Sequence, residues 1–545
     1  MQFNENNSAS VDGGSLSGGG RAPGRGEILL LLLFVVAAFL LRYAAIQPYQ
    51  VIAADGPSYV SISRQIFERF SFAGSIHYPP FYPLLIGLAH LLFPDYETAG
   101  MAVSLVMGSL LPVPVYLLGR ELFGRGAGCI AAAVVIVWPE FVIQSSTVLA
   151  YATYFTLLMS GLYLLWLAHT RKTLLPAVGS GLFVAAAYLS RQEAFISLFV
   201  ICSALGVVTL YRERRVAPLV PLLVAFGVFA VAILPYVVMV HRVMGIWTLA
   251  GKSVVTLTDC LSYYLNRFDL QREPGFAKIG YLDLIRTYPG YFPFIIKKNA
   301  TELVNVLPLP LVLFALAGYV VPRKDARGGD VRAFIAGALA PVAVLLAVFL
   351  VSGAYIAPYV PFLLILAGHG VLSVEDGLRR LLARSPGPAG FRWLSALLVL
   401  GYLLPAAYHQ LPHGKPQPYT LAMDGGRYDH KQLGRILKTQ LPAGAVIMTR
   451  SGRIAFYSGH PWVDIPQADF WTILTTARQN KVRYLIVSGD LAQLRPQLAL
   501  LLTPLDLARG GVEMLDGGET FPGLARRMVY TAPESQGVVV YELVR

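Results

Sequence analysis

The sequence lacks the signatures by which soluble enzymes hold nucleotides and metals. It has no G-x-x-x-x-G-K-[ST] phosphate loop and no G-x-G-x-x-G run, so no backbone cradle for a nucleotide is encoded. It has no H-E-x-x-H, no paired-carboxylate D-x-D and no Cys/His set at ligand spacing, which leaves no recognisable metal site and calls for no cofactor. Only 3 cysteines occur. Cys129 and Cys202 fall inside hydrophobic runs and Cys260 stands alone, so neither a disulfide framework nor a thiolate site is implied. No repeat of solenoid length is present, and the two halves show no pairing of broken helices of the kind found in transporters.

What the chain has in quantity is apolar surface. A hydrophobic fraction of 55% and a mean hydropathy of +0.58 exceed what a soluble domain can hide, and predict a polytopic α-helical membrane protein. Runs of the length needed to cross about 30 Å of hydrocarbon lie at about 28–46, 99–119, 127–143, 147–168, 174–190, 193–211, 216–240, 301–321, 332–352, 355–373 and 392–410. That makes about 11 transmembrane helices. The run 81–93 is too short to cross and reads as a re-entrant or interfacial helix. The first run is too long for a signal-peptide core and no small-residue cleavage site follows it, so it is expected to be retained.

Charge supports this count. With a cytoplasmic N-terminus, alternate loops carry Arg21 and Arg25, Arg120 and Arg125, Arg171 and Lys172, then Arg212, Arg214 and Arg215. Arg323, Lys324 and Arg327 follow, then Arg379, Arg380 and Arg384. This is the positive-inside pattern. It accounts for the net charge of +13 without nucleic acid as a partner. It also puts Asp55 and everything beyond residue 410 on the outer face of the cytoplasmic (inner) membrane.

Three segments stand apart from the spans. Residues 1–26 are polar and Gly/Ser-rich, and are expected to be a disordered cytoplasmic tail. Within the membrane domain, 27–410, outer loops are expected at about 47–98 and 241–300. After His409 the composition changes. A-V-I-M-T, R-Y-L-I-V-S and G-V-V-V-Y-E-L-V read as strands, and A-D-F-W-T-I-L-T-T-A-R-Q-N as a helix between them, so 411–545 reads as a small α/β domain on the outer face.

The candidate chemistry gathers in the outer loops. Asp55 follows the first hydrophobic run and precedes a short half-polar helix that starts at Gly56-Pro57. It has two compatible readings: a helix cap, or a carboxylate that accepts a proton from an attacking hydroxyl or amine. Tyr59 lies four residues on, on roughly the same face. Arg64 faces lipid phosphates or water. His77, before Tyr78-Pro79-Pro80, is either a local structural residue or a second functional group beside Asp55. Arg191 and Glu193 lie between two spans, as a self-compensating pair or as a guanidinium that contacts a substrate phosphate. In the second outer loop Arg242, Lys252, Arg267, Lys297 and Lys298 depart from the usual bias, which fits anionic headgroups or a phosphate-bearing substrate. An enzyme with no nucleotide site must draw activated substrate from elsewhere, and in a membrane that points to a lipid carrier.

The layout resembles the GT-C superfamily of polyprenyl-phosphate-sugar-dependent glycosyltransferases, and is similar to protein O-mannosyltransferases and the enzyme that adds aminoarabinose to lipid A. The resemblance rests on D-x-x-x-Y-x-x-x-x-R (Asp55, Tyr59, Arg64), P-P-F-Y-P-L-L at 79–85 and G-R-E-L-F-G-R-G-A-G at 119–128. It continues with S-R-Q-E at 190–193, A-Y-I-A-P-Y-V-P at 354–361 and R-S-G-R-I-A-F-Y-S-G-H-P at 450–461. It implies that Asp55 is the catalytic base, that Tyr59 shapes the same site and that Tyr355 stands near the donor phosphate. Three positions depart from the family's pattern: Gly56 stands where a second acid often does, Ala354 where an Arg is frequent, and 145–152 lacks an acid.

The function so expected is transfer of a sugar from a polyprenyl-phosphate carrier to a lipid, glycan or protein acceptor, with inversion and without a metal. A transporter or flippase of lipid-linked saccharides, or a polysaccharide polymerase, shares the topology. The flippase predicts polar or broken helices near the membrane midplane, whereas the polar residues here gather in the loops.

Overall fold

The computed structural model describes residues 24–46, 51–251, 257, 260–261, 264–265, 286–321, 328–349, 353–382, 393–410 and 428–544, apart from 467, 490, 492–495, 508–510, 516–517 and 532–536. Most of the expected cytoplasmic tail, much of the second outer loop and Lys252 lie outside the described residues. In chain order the helical part runs α1 (Arg25–Ala45), α2 (Gly56–Arg69), α3 (Phe81–His90), α4 (Tyr96–Leu110), α5 (Pro112–Phe123) and α6 (Arg125–Val137). Then come α7 (Pro139–Ser145), α8 (Tyr151–Arg171), α9 (Leu174–Tyr188), α10 (Ala194–Glu213) and α11 (Val220–Met244). It continues with α12 (Tyr291–Val306), α13 (Leu309–Val320), α14 (Gly328–Val348), α15 (Gly353–Ile356), α16 (Val360–Leu382) and α17 (Trp393–Gln410).

Among the described residues 7 helical stretches are long and apolar enough to cross a membrane, or 9 if the bent pairs α6–α7 (57°) and α12–α13 (97°) each count as one span. The expected count of about 11 also included 174–190 and 392–410. Helices occupy both places, α9 with 15 residues and α17 with 18, but neither is among those stretches. The surface of α1 shows what surrounds the bundle. Leu29, Leu33 and Tyr43 are each more than half exposed, an apolar stripe that water would not tolerate at this density. The chain is a multi-pass membrane protein.

Ion pairs gather at the end of the bundle remote from Asp55. Glu27 accepts from Arg120 Nη1 and from the Tyr116 hydroxyl, both at 2.7 Å. Asp330 takes Arg212 at 2.9 Å and lies 3.6 Å from His169. Nearer the other end, Pro139 breaks the α6–α7 pair. Proline has no N–H for the Val135 carbonyl, and the bend takes the next N–H away from Ile136. Arg42 of α1, fully buried, repairs the break. It donates to Val135 O at 3.3 Å, Ile136 O at 3.1 Å and Ser145 Oγ at 3.2 Å.

The tail forms a mixed sheet with helices on both faces. Its elements are α18 (Tyr428–Gln440), β1 (Ile447–Thr449), α19 (Gly452–Ser458), β2 (Trp462–Val463), α20 (Phe470–Gln479) and β3 (Tyr484–Ser488). β4 (Gly511–Met514), β5 (Glu519–Phe521), β6 (Leu524–Thr531) and β7 (Val538–Leu543) complete it. The strand order is β2-β1-β3-β7-β6-β4, with β5 on β6. β1 is parallel to β2 and β3, and the rest are antiparallel. Alternation divides β3 and β7 between two cores: Leu485, Val487, Val539 and Tyr541 face one, Tyr484, Ile486, Val538 and Val540 the other. Covering both faces explains why V-V-V-Y reads as an unbroken apolar run.

Candidate active site

The site lies where three short pieces meet at the Asp55 end of the bundle: the turn into α2, the segment leading into α3, and the loop between α9 and α10. α2 is amphipathic because Tyr59, Val60, Ile62, Ser63 and Ile66 share its buried face. α3 has ten residues, about 15 Å of helix, and packs against α2 and α4 without crossing the bundle. Gly87 makes that approach possible, since a Cβ there would overlap the Phe67 ring at 2.1 Å.

Asp55 caps α2 through its backbone alone. Its carbonyl accepts from Ser58 N at 3.1 Å and Tyr59 N at 3.2 Å, while its side chain makes no capping bond. The capping reading of the carboxylate is therefore corrected. Asp55 has αR dihedrals (φ −81°, ψ −13°) rather than the extended ones that aim an N-cap oxygen at the helix. Its Oδ1 instead accepts from the Tyr78 hydroxyl at 2.9 Å. Burial first, and Asp55 second, push the Tyr78 phenol up, so it remains a donor. Tyr59 is buried, with its ring edge-on to Tyr78 at 5.0 Å and to Tyr82 at 5.1 Å. Its phenol is raised by burial first; the Arg191 charge opposes that shift and Asp55 adds to it.

Arg191 comes in from the α9–α10 loop. It is 6% exposed, and its guanidinium donates to Glu193 Oε1 at 2.8 Å. It lies 3.9 Å from the Tyr151 ring centroid and 5.6 Å from that of Tyr355. Stacking on desolvated rings contributes about 2 kcal/mol and holds the fork in one plane. Burial acts to lower the Arg191 pKa; Glu193 and then the phenols of Tyr151, Tyr355 and Tyr59 outweigh it, and the net shift is upward. The charge persists. The loop itself is tied down: Leu189 O accepts from Phe81 N at 2.8 Å, and Gln192 donates to Tyr236 at 2.8 Å, whose hydroxyl reaches Ser75 O at 3.0 Å.

Of the residues singled out from the sequence, Asp55, Tyr59, Arg191, Glu193 and Tyr355 are brought into this neighbourhood. Arg64 is exposed and stacks on Tyr96 at 4.9 Å, at the mouth of α4. His77 is exposed at the end of a 3-10 turn (Ala73–Ile76); the contact to Asp55 is made by its neighbour Tyr78. Sequence reasoning missed Tyr78, which stood unmarked inside H-Y-P-P, and Tyr151, which stood in a stretch noted only for lacking an acid. It also missed Glu140. This acid accepts from Gln144 at 2.7 Å, and its Oε2 would lie 3.3 Å from a Cβ on Gly353, two residues before Tyr355. A Pro-led acid after an apolar run (W-P-E-F) was the available signal.

The structure also accounts for the missing second acid. A Cβ on Gly56 would stand 2.4 Å from Ile52 Cγ1 and 3.3 Å from Val148 O, so this corner has no room for a side chain. Among the described residues no group of three or more His, Cys, Asp or Glu side chains is placed to hold a metal ion.

A family model described as dolichyl-phosphate-mannose-protein mannosyltransferase matches residues 77–254 of the 545. Asp55 lies before that match; Tyr78, Tyr151, Arg191 and Glu193 lie within it. Comparison with curated proteins found no significant match. Among solved structures, the Archaeoglobus fulgidus oligosaccharyltransferase in complex with Zn and sulfate is similar at a TM-score of 0.58 and 16% identity, over 85% of this chain and 68% of that one. AglB from the same organism, in complex with an inhibitory peptide and a dolichol-phosphate, gives 0.54 and 14% over 86% and 70%. ArnT from Cupriavidus metallidurans bound to undecaprenyl phosphate gives 0.52 and 15% over 94% and 98%. At such identities the likeness is one of fold. The chain has the GT-C fold, and its segment 77–254 is similar to the mannosyltransferase family.

Proposed function

We propose that this protein is a membrane glycosyltransferase that moves a sugar from a polyprenyl-phosphate carrier to a lipid, glycan or protein acceptor at the outer face of the cytoplasmic membrane. The N-terminus is then cytoplasmic, and the tail domain, 411–545, extracytoplasmic. One observation carries the reading: a carboxylate oriented by a phenol, Asp55 with Tyr78, shares a neighbourhood with a buried, charged Arg191. A base and an anion-stabilising group are the two parts this displacement needs. The family match and the fold support the class of reaction.

In the reaction Asp55 accepts the proton of the acceptor hydroxyl or amine as that atom attacks the anomeric carbon. The bond from this carbon to the phosphate oxygen breaks, and its electron pair leaves with the polyprenyl phosphate. Arg191 stabilises the charge that develops there, and Tyr355, under the guanidinium, lines the donor side. Single displacement inverts the anomeric centre. Glu193 keeps the guanidinium oriented, and Tyr59 walls the base from lipid and water. Lys252, outside the described residues, remains a candidate for the donor phosphate.

The test is Asp55→Asn, read by mass spectrometry of envelope lipids and glycans from cells with and without the protein. Loss of the glycosylated product by about 10²–10⁴-fold is expected for removal of a general base. Product at the level of the natural chain would overturn the assignment of Asp55.

A further inference from the structure

The segment 51–53 that leads into Asp55 is neither helix nor strand, yet Ile52 is 1% exposed. A buried backbone N–H and C=O without a ladder must find other partners. Both partners of Ile52 come from one helix of the tail domain, some 400 residues on. Arg453 Nε donates to Ile52 O at 2.9 Å, and Ile52 N donates to the Tyr457 hydroxyl at 2.8 Å. That hydroxyl spends its own proton on Glu97 Oε1 at 2.6 Å, and Glu97 also takes Lys431 Nζ at 3.3 Å. The grip on Ile52 passes directly to the catalytic corner. The Ile52 side chain fills the space over Gly56, and Gly56 N closes the turn onto Ala53 O at 2.9 Å. The helix seats itself there as well: a Cβ on Gly452 would touch Pro57 at 3.7 Å.

We infer that Arg453 and Tyr457 are positioning residues, which clamp the backbone of Ile52 so that the tail domain sets the orientation of the Asp55 carboxylate. The tail is thereby a working part of the membrane site. Its α19 holds a turn for which Ile52 takes, among the described residues, no backbone hydrogen-bond partner from the first loop. The role in transfer rests on the reading of Asp55 as the base, whereas the clamp does not depend on it.

The test uses the full chain in detergent, with Tyr457→Phe and Arg453→Gln. Hydrogen exchange is followed in peptides covering 50–56, with undecaprenyl phosphate as the binding probe and envelope product read by mass spectrometry. Each substitution is expected to speed exchange in 50–56 by about tenfold, the size of one lost hydrogen bond, and to lower product by a similar factor. Undecaprenyl phosphate affinity should stay within about twofold, which a general loss of structure would not allow. Unchanged exchange, or full product with both variants, would overturn the inference. Asp55→Asn separates the two ideas. If it keeps full product, the base reading fails and the exchange result alone decides the clamp.

Discussion

The Tyr78 hydroxyl donates to Asp55 Oδ1 at 2.9 Å, and this bond, rather than a helix cap, fixes where the carboxylate points. Pro79 and Pro80 restrict the backbone of Tyr78 on the way into α3, so two segments 23 residues apart agree on one orientation. Tyr78→Phe keeps the ring that Tyr59 packs against and removes only the donor. A hydrogen bond to a charged group contributes about 1.5–3 kcal/mol, so product formation should fall roughly 10- to 100-fold with the fold intact. Mass spectrometry of the envelope product and a thermal melt check both halves.

Arg191 separates charge from shape. Arg191→Lys keeps a cation but loses the planar fork over Tyr151 and its bidentate reach to a phosphate. Undecaprenyl phosphate affinity, followed by thermal-shift titration, should drop about tenfold for one lost charge-assisted bond. Affinity equal to that of the natural chain would show that Arg191 does not serve the phosphate.

Gly56 should tolerate nothing larger. In Gly56→Ala the new Cβ meets Ile52 at 2.4 Å, and overpacking of this kind costs about 1–3 kcal/mol. Pairing it with Ile52→Ala removes the offending carbons, so the double variant should be more stable than the sum of the singles predicts. Thermal denaturation of the four chains gives the coupling directly.

Arg42 should matter to stability and not to donor binding. Arg42→Met fills the same space but leaves the carbonyls of Val135 and Ile136 bare at the Pro139 break, at about 1–3 kcal/mol for each buried unpaired group. A lowered melting temperature, with faster hydrogen exchange confined to the α6–α7 junction and its neighbours, is the expected result.

Much of this architecture is visible in the chain itself, for physical reasons that differ by element. Long apolar runs announce membrane helices because lipid leaves backbone groups no other partner. The strand runs of the tail stand out for the same kind of reason: V-V-V-Y is buried on both faces. β6 is hidden in the sequence because Arg526-Arg527 interrupts its alternation, and its pairing with β7, β4 and β5 buries the rest. Asp55, Arg191 and Tyr355 could be picked out as costly or motif-bearing residues. Tyr78 and Tyr151 could not, because a tyrosine in a loop or at a helix start carries no signal of its own. Arg453 and Tyr457 stand inside the motif at 450–461, which marks the segment but not the backbone of Ile52 that they bond.

The sequence alone determined that the chain is a many-helix membrane protein with an α/β tail, since periodicity and hydropathy are local properties of neighbouring residues. Only the tertiary structure decided what each polar group does. It turned the Asp55 side chain away from its cap and toward Tyr78, closed the Gly56 corner with Ile52, and gave the buried backbone of Ile52 its partners from a helix 400 residues away. Hydrogen bonds reach about 3 Å, so such roles depend on which segments the fold brings together, and no spacing along the chain encodes that.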